Sequence, residues 1–104
     1  MIDVSNQNGH WRVLLSRPDK ANALSPAMLH QIANATAAAH ADTELRSFVV
    51  TGAGDRVFCA GADVSGGEDM FEFTRDPVWV AASQGIADLP CLTIAALNGT
   101  LAGG

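Results

Sequence analysis

The amino-acid sequence predicts an α/β fold, in which an N-terminal β-hairpin is followed by parallel strands that crossover helices connect. Three observations carry this prediction: a hairpin signal in residues 2–15, helical patterns at 25–41 and 76–86, and buried-strand patterns at 47–51 and 91–97. Strands that alternate with helices pair in parallel through right-handed crossovers. A chain of 104 residues has room for one small domain.

The hairpin signal consists of two alternating segments and a turn. Apolar and polar residues alternate over residues 2–4 and 11–15, as they do in strands that bury one face. Between them lies the Asn8–Gly9 pair, which is favoured in two-residue hairpin turns. Pro18 follows shortly after and ends the second strand.

The first helix has a clear start. Ser25 can cap it, and Pro26 then stands at the first helical position, where no amide hydrogen is needed. Four apolar residues share one face at helical spacing: Met28, Leu29, Ile32 and Ala39. The pattern predicts that the helix ends near Ala41–Asp42.

The centre of the chain predicts a strand and a long loop. Residues 47–51 form a β-branched run that indicates a buried strand ending at Gly52. Five glycines in residues 52–67 indicate a long loop, and residues 68–73 a helical turn or two.

The last predicted elements are a helix and a strand. Asp76-Pro77 repeats the signal of a cap followed by proline. A small-residue face is predicted for this helix: Val78, Ala81, Ala82, Gly85 and Ile86. Residues 91–97 are apolar on both faces, which predicts a strand buried on both, and Asn98-Gly99 predicts a turn.

Composition argues against several classes of protein. A net charge of −5 argues against binding nucleic acid, which requires a basic surface. No apolar run approaches the roughly 18 residues of a membrane span. Charged residues are only 16 % of the chain, so we expect apolar faces that a partner covers. Cys59 and Cys91 form no Cys-x-x-Cys pair, which favours reduced cysteines and a cytoplasmic location.

Two glycine-containing segments are candidate sites, the loop that follows Thr51 and residues 98–104 after the last strand, because ligands of α/β sheets bind beyond the carboxyl ends of strands. Gly52-Ala53-Gly54 begins like a dinucleotide fingerprint, but Val57 stands where the third glycine is required. In residues 57–64, small side chains allow a ligand to approach backbone amides that could face an anion or a polarised carbonyl. A tight turn that needs small residues for packing is the alternative.

Three sequence blocks, in order, resemble the enoyl-CoA hydratase/isomerase family, also called the crotonase family. Leu15-Ser16-Arg17-Pro18 with Asn22-Ala23-Leu24 resembles its Arg-Pro…Asn-Ala-Leu stretch. Residues 58–64 (Phe-Cys-Ala-Gly-Ala-Asp-Val) are similar to its Phe-x-Ala-Gly-Ala-Asp-Leu loop. Residues 95–99 (Ala-Ala-Leu-Asn-Gly) with Gly103-Gly104 resemble its Ala-x-Asn-Gly…Gly-Gly-Gly block.

The resemblance implies a crotonase-like (ClpP/crotonase) spiral of ββα units. Residues 1–104 would be the N-terminal part of one such domain, cut within the glycine-rich motif. It also implies acyl-CoA thioester substrates, assembly into trimers or hexamers, and no cofactor beyond the CoA of the substrate.

The resemblance assigns roles to backbone amides. The amides of Ala62 and Gly104 would form an oxyanion hole for the thioester oxygen. Seven further residues would contact the acyl-CoA: Lys20, Ala21, Ala23, Ala60, Gly61, Asp63 and Val64. Either Arg17 or Lys20 could meet a CoA phosphate, or both could remain solvated charges. Asp19 and residues 65–67 stand where family members often carry basic residues, which weakens the phosphate assignment.

Hydration of a 2-enoyl-CoA is the reaction that the resemblance favours. Isomerases and other members share these blocks. The family's acid–base glutamates lie beyond the glycine triplet, so we expect the 104-residue chain alone to be inactive. The alternative is a non-catalytic truncated product that serves as a CoA-binding or assembly module.

Overall fold

The structure is a computed structural model that describes residues 2–63, 73 and 75–102. Within these residues it contains a four-stranded sheet, a small two-stranded sheet and two long helices. The elements are β1 (Ile2–Gln7), β2 (His10–Leu15), a short 3-10 helix (Pro18–Lys20), α1 (Pro26–Ala41), β3 (Ser47–Gly52), β4 (Val57–Cys59), α2 (Val78–Ala87), β5 (Leu92–Ala96) and β6 (Thr100–Leu101).

The larger sheet has the strand order β1-β2-β3-β5. β1 and β2 are antiparallel, whereas β2, β3 and β5 run parallel to one another. α1 connects β2 to β3, and α2 precedes β5. The predicted hairpin followed by parallel strands with crossover helices is therefore confirmed.

The hairpin turn has the backbone geometry that its sequence predicts. Asn8 and Gly9 have φ angles of 55° and 89°, and both must be positive in the turn type that suits two-residue hairpins. The side chain of Asn6 accepts a hydrogen bond from the Gly9 amide at 3.0 Å. A Cβ at Gly9 would overlap the carbonyl of Glu44, so this position requires glycine for space as well as for its φ angle.

α1 begins and ends where the sequence predicts. The Ser25 hydroxyl accepts a hydrogen bond from the Met28 amide at 3.2 Å, and Pro26 is the first helical residue. The helix ends at Ala41. All four residues of the predicted apolar face are buried: Met28, Leu29, Ile32 and Ala39.

α2 packs on α1 through a narrower stripe than the sequence suggests. The Asp76 side chain, just before the helix, accepts a hydrogen bond from the Val78 amide at 2.9 Å. Val78 and Ala82 are buried, but Ala81 is exposed, so the prediction that it shares the packed face is wrong. Gly85 lies so close to α1 that a Cβ there would meet Thr36.

The structure corrects two further predictions. Residues 52–67 are not all loop, because Val57–Cys59 form β4 and pair with β6. β5 is not buried on both faces: all five of its residues are exposed, with Leu92 at 67 % and Ile94 at 41 %. β5 is the edge strand of the described sheet and pairs only with β3 there. The helical turn predicted at 68–73 lies outside the described residues except for Phe73.

A hydrogen bond between β2 and the end of α1 makes stability sensitive to acid. The Trp11 indole donates to the Asp42 carboxylate at 2.9 Å, and this bond lowers the pKa of Asp42 below its ordinary value of 3.8. A carboxyl group whose folded pKa is lowered stabilises the fold above its unfolded pKa, and this stabilisation is lost as the pH falls through the folded pKa.

We therefore expect Asp42→Asn, which keeps an acceptor for Trp11, to reduce the loss of stability below about pH 4. Urea unfolding midpoints at pH 6 and pH 3 measure this effect. The drop between the two pH values should be smaller in the variant than in the wild type. An equal drop in both would contradict the assignment.

Candidate functional site

Two segments that are distant in sequence lie side by side and form the candidate site. Leu24 and Ala62 form an isolated parallel bridge. The Leu24 amide donates to the Gly61 carbonyl at 2.8 Å, and the Asp63 amide donates to the Leu24 carbonyl at 2.9 Å. The Ala60 amide donates to the Ala21 carbonyl at 3.1 Å. Residues 17–24 and 60–63, which belong to separate sequence blocks, are thus joined through their backbones.

The chain reverses locally so that this pairing can form. After the short 3-10 helix, Ala21 and Asn22 both adopt left-handed backbone angles, with φ of 52° and 55°. Asparagine tolerates this region, but an alanine there is strained. Gly61 has a φ of 98°, which suits glycine. Such strain is concentrated where a backbone serves a function.

Two asparagines hold the turn that precedes the loop. Asn22 is only 1 % exposed, and its side chain accepts from the Arg17 amide at 2.9 Å and donates to the carbonyls of Ala53 and Val57. Asn98 accepts from the Gly52 amide and donates to the carbonyls of Gly54 and Val57. Both side chains therefore converge on one carbonyl at the start of β4.

The amide of Ala62 is held in a fixed orientation by its neighbours. Its N–H shares a planar trans peptide with the Gly61 carbonyl, and that carbonyl is bound by Leu24. The Ala62 N–H consequently points away from Leu24. Across the described part of the chain it finds no hydrogen-bond acceptor, although the amides of Ala60, Gly61 and Asp63 all donate.

An ion pair closes the same site. Arg17 Nη1 donates to Asp63 Oδ2 at 2.8 Å, and the two side chains are only 18 % and 14 % exposed. The same nitrogen donates to the Ala23 carbonyl at 3.2 Å. Arg17 is therefore engaged within the protein, and the exposed residue of the two candidates for phosphate contact is Lys20.

An apolar cavity of about 420 Å³ adjoins the loop. Cys59 and Gly61 contribute to its lining on the loop side. Trp79 and Ile86 of α2 and Ile94 of β5 contribute apolar side chains. Pockets for small molecules are lined mostly by apolar groups, so this cavity is a candidate ligand site.

The structure brings together most of the residues that the resemblance singled out. Ala21, Ala23, Gly61, Ala62 and Asp63 lie along the paired segments, and Ala60 and Lys20 are exposed beside them. Val64 and Gly104 lie outside the described residues. We find no group of three or more potential metal-ligating side chains within 2–63, 73 and 75–102. No helix among those residues is long and apolar enough to cross a membrane.

Sequence reasoning missed the contributions of Asn22, Asn98 and the Arg17–Asp63 pair. The two asparagines stood within recognised blocks, but their side chains reach partners more than 30 positions away. A buried asparagine beside a left-handed alanine has no local periodic signal. The sequence feature that could have indicated them is an asparagine in each of two family-like motifs, both of which bind the Val57 carbonyl at the start of β4.

The parallel sheet and its helices define an α/β protein, and the comparisons with known proteins show that its fold is of the crotonase-like type. The family model described as Enoyl-CoA hydratase/isomerase matches residues 5–104. A solved structure of an enoyl-CoA hydratase from Bacillus anthracis superposes with a TM-score of 0.82 at 29 % sequence identity, covering 94 % of this chain and 40 % of that one. The chain belongs to the enoyl-CoA hydratase/isomerase family.

Curated relatives agree with this assignment. Enoyl-CoA hydratase ACTT6 of Alternaria alternata is 33 % identical over 104 residues, which cover 98 % of this chain and 34 % of the relative. The mitochondrial enoyl-CoA hydratase domain-containing protein 2 of Bos taurus is 34 % identical over 100 residues, covering 92 % and 33 %. The chain thus spans about a third of the length of these two relatives.

Proposed function

We propose that this chain supplies the acyl-CoA-binding, N-terminal part of an enoyl-CoA hydratase/isomerase site, with hydration of a 2-enoyl-CoA as the favoured reaction. The observation that carries the proposal is the Ala62 amide, which is fixed by its neighbours and has no acceptor in the described part of the chain. A fixed amide of this kind stabilises negative charge where it develops.

The proposed chemistry follows from the thioester. When water adds to C3 of the enoyl group and gives up a proton to one of the family's acid–base glutamates, electrons move from the C2–C3 double bond onto the thioester oxygen. The Ala62 amide, together with the amide of Gly104, would hold that oxygen until a proton reaches C2. Lys20 would meet a CoA phosphate, and the apolar cavity beside Gly61 would take the acyl chain.

We also propose a cytoplasmic location and assembly with further copies of the chain. Cys59 and Cys91 are both free, which supports a reducing compartment such as the cytoplasm. Assembly with further copies, as the family resemblance implied, is supported by exposed apolar residues on β5 and beyond, including Leu92, Leu97 and Leu101. The same exposed residues favour the second candidate, a non-catalytic CoA-binding or assembly module.

Calorimetric titration of the 104-residue chain tests the proposal. We expect hexanoyl-CoA to bind more tightly than CoA, because the acyl chain fills the apolar cavity and the thioester oxygen meets the Ala62 amide. We expect no hydration of crotonyl-CoA by the isolated chain, because loss of acid–base groups typically costs about 10²–10⁴ in rate. Absence of binding by both compounds at millimolar concentration would contradict the proposal. If the protein purified from its native source binds hexanoyl-CoA but does not hydrate crotonyl-CoA, the non-catalytic module is favoured.

A further inference from the structure

We propose that Arg17 is a positioning residue for the Ala62 amide, a role that rests on the proposed function of that amide. Arg17 Nη1 donates to Asp63 Oδ2 at 2.8 Å and to the Ala23 carbonyl at 3.2 Å. Asp63 follows Ala62, and Ala23 precedes Leu24. One cation therefore ties together the two segments whose pairing orients the Ala62 N–H.

The low exposure of the Arg17–Asp63 ion pair indicates that it restrains the loop. Surface ion pairs contribute little because water screens them, but these two side chains are only 18 % and 14 % exposed. Charge-assisted hydrogen bonds are stronger than neutral ones, and they strengthen further where solvent is excluded.

The main chain of Arg17 is fixed as well, so its side chain extends from a rigid base. Its amide donates to Asn22 Oδ1 at 2.9 Å, and its carbonyl accepts from the amides of Asn22 and Lys20 at 2.9 Å and 3.1 Å. Asn22 is in turn buried and bound to the turn before β4.

The orientation of Ala62 depends on the two peptide groups that flank it. Leu24 binds both of them: its amide donates to the Gly61 carbonyl at 2.8 Å, and its carbonyl accepts from the Asp63 amide at 2.9 Å. Both bonds are between neutral backbone groups at a bridge that is isolated from the sheets. Arg17 adds charged contacts on both sides of this bridge, and we infer that it keeps the bridge closed.

Arg17→Gln tests the proposal. The matched control is Arg56→Gln, because Arg56 is an exposed arginine in the turn before β4. Amide hydrogen exchange is the first readout. We expect the amides of Leu24 and Asp63 to exchange about tenfold faster in Arg17→Gln, the value of one charged hydrogen bond. The α1 amides of Ile32 and its neighbours should not change. Arg17→Lys, which keeps the charge, should restore part of the protection.

Ligand binding is the second readout. The thioester hexanoyl-CoA has a carbonyl for the Ala62 amide, whereas the thioether S-hexyl-CoA does not. We expect Arg17→Gln to weaken the thioester about fivefold, within the range of one hydrogen bond, and to leave the thioether unchanged. Arg56→Gln should change the affinity for neither hexanoyl-CoA nor S-hexyl-CoA.

Three results would overturn the positioning role: unchanged exchange at Leu24 and Asp63, an equal increase throughout α1, or equal weakening of both ligands. If the wild-type chain binds neither ligand, the proposed function fails. The exchange measurement then decides whether Arg17 holds the loop, so the two failures are distinguishable.

Discussion

Replacing Asn22 with alanine is expected to lower the free energy of unfolding by about 2–4 kcal/mol, the range for breaking a buried polar network. Asn22 is 1 % exposed, and its side chain makes three hydrogen bonds. The substitution removes this partner from the Arg17 amide and the Ala53 carbonyl at a position where the asparagine is almost fully buried. Alanine also tolerates the left-handed angle of this position less well than asparagine does.

Asn98→Ala is the matched control, because Asn98 also makes three hydrogen bonds and shares the Val57 carbonyl with Asn22. Asn98 is only partly buried, so water can replace its bonds, and we expect a loss of about 1 kcal/mol. Asn22→Gly separates the two causes, since glycine accepts the left-handed angle and lacks only the side-chain bonds. Urea unfolding of the three variants measures these differences. A similar loss for Asn22→Ala and Asn98→Ala would contradict the central role of burial.

The local part of the fold could be predicted from sequence because its signals lie within a few residues of one another. The turn at Asn8–Gly9 and the helix start at Ser25–Pro26 each depend on backbone preferences that the local residues impose. The structure has both where they were predicted. The parallel order followed from strands alternating with helices, which topology rules restrict to few arrangements.

The elements that could not be predicted depend on distant partners. β4 has three residues and β6 two, too few for any periodic pattern to show. β5 has the composition of a strand buried on both faces, but burial is set by what packs against a strand. In the described residues it forms the edge of the sheet, so that Leu92 and Ile94 are exposed.

The candidate site divides in the same way. The resemblance pointed to the Ala62 amide, and the structure supplies the reason that this amide is available: both flanking peptides are bound by Leu24 while its own N–H has no acceptor in the described chain. No local property of residues 17–24 predicts that they pair with residues 60–63. The Arg17–Asp63 ion pair, at a separation of 46 positions, belongs to the same class of contact.

The Ala62 amide itself can be removed without altering any side chain. Ligation at Cys59 allows residues 59–104 to be made synthetically, with an ester in place of the Ala62 amide. We expect hexanoyl-CoA to bind about tenfold more weakly to this ester variant, the value of one strong hydrogen bond, and S-hexyl-CoA to bind as before. In a complete catalytic site, loss of an oxyanion donor costs about 10²–10³ in rate.

An ester at Ala60 is the matched control. Each ester also weakens one carbonyl acceptor: that of Gly61, which Leu24 binds, or that of Cys59, which Ala102 binds. Only the Ala60 variant additionally loses a hydrogen bond within the protein, to the Ala21 carbonyl, so its free energy of unfolding should be lower by about 1 kcal/mol. The Ala60 variant should nevertheless keep the preference for thioester over thioether. The assignment of Ala62 would be wrong if both esters reduced that preference equally, because the loss would then come from a disturbed loop and not from the Ala62 amide.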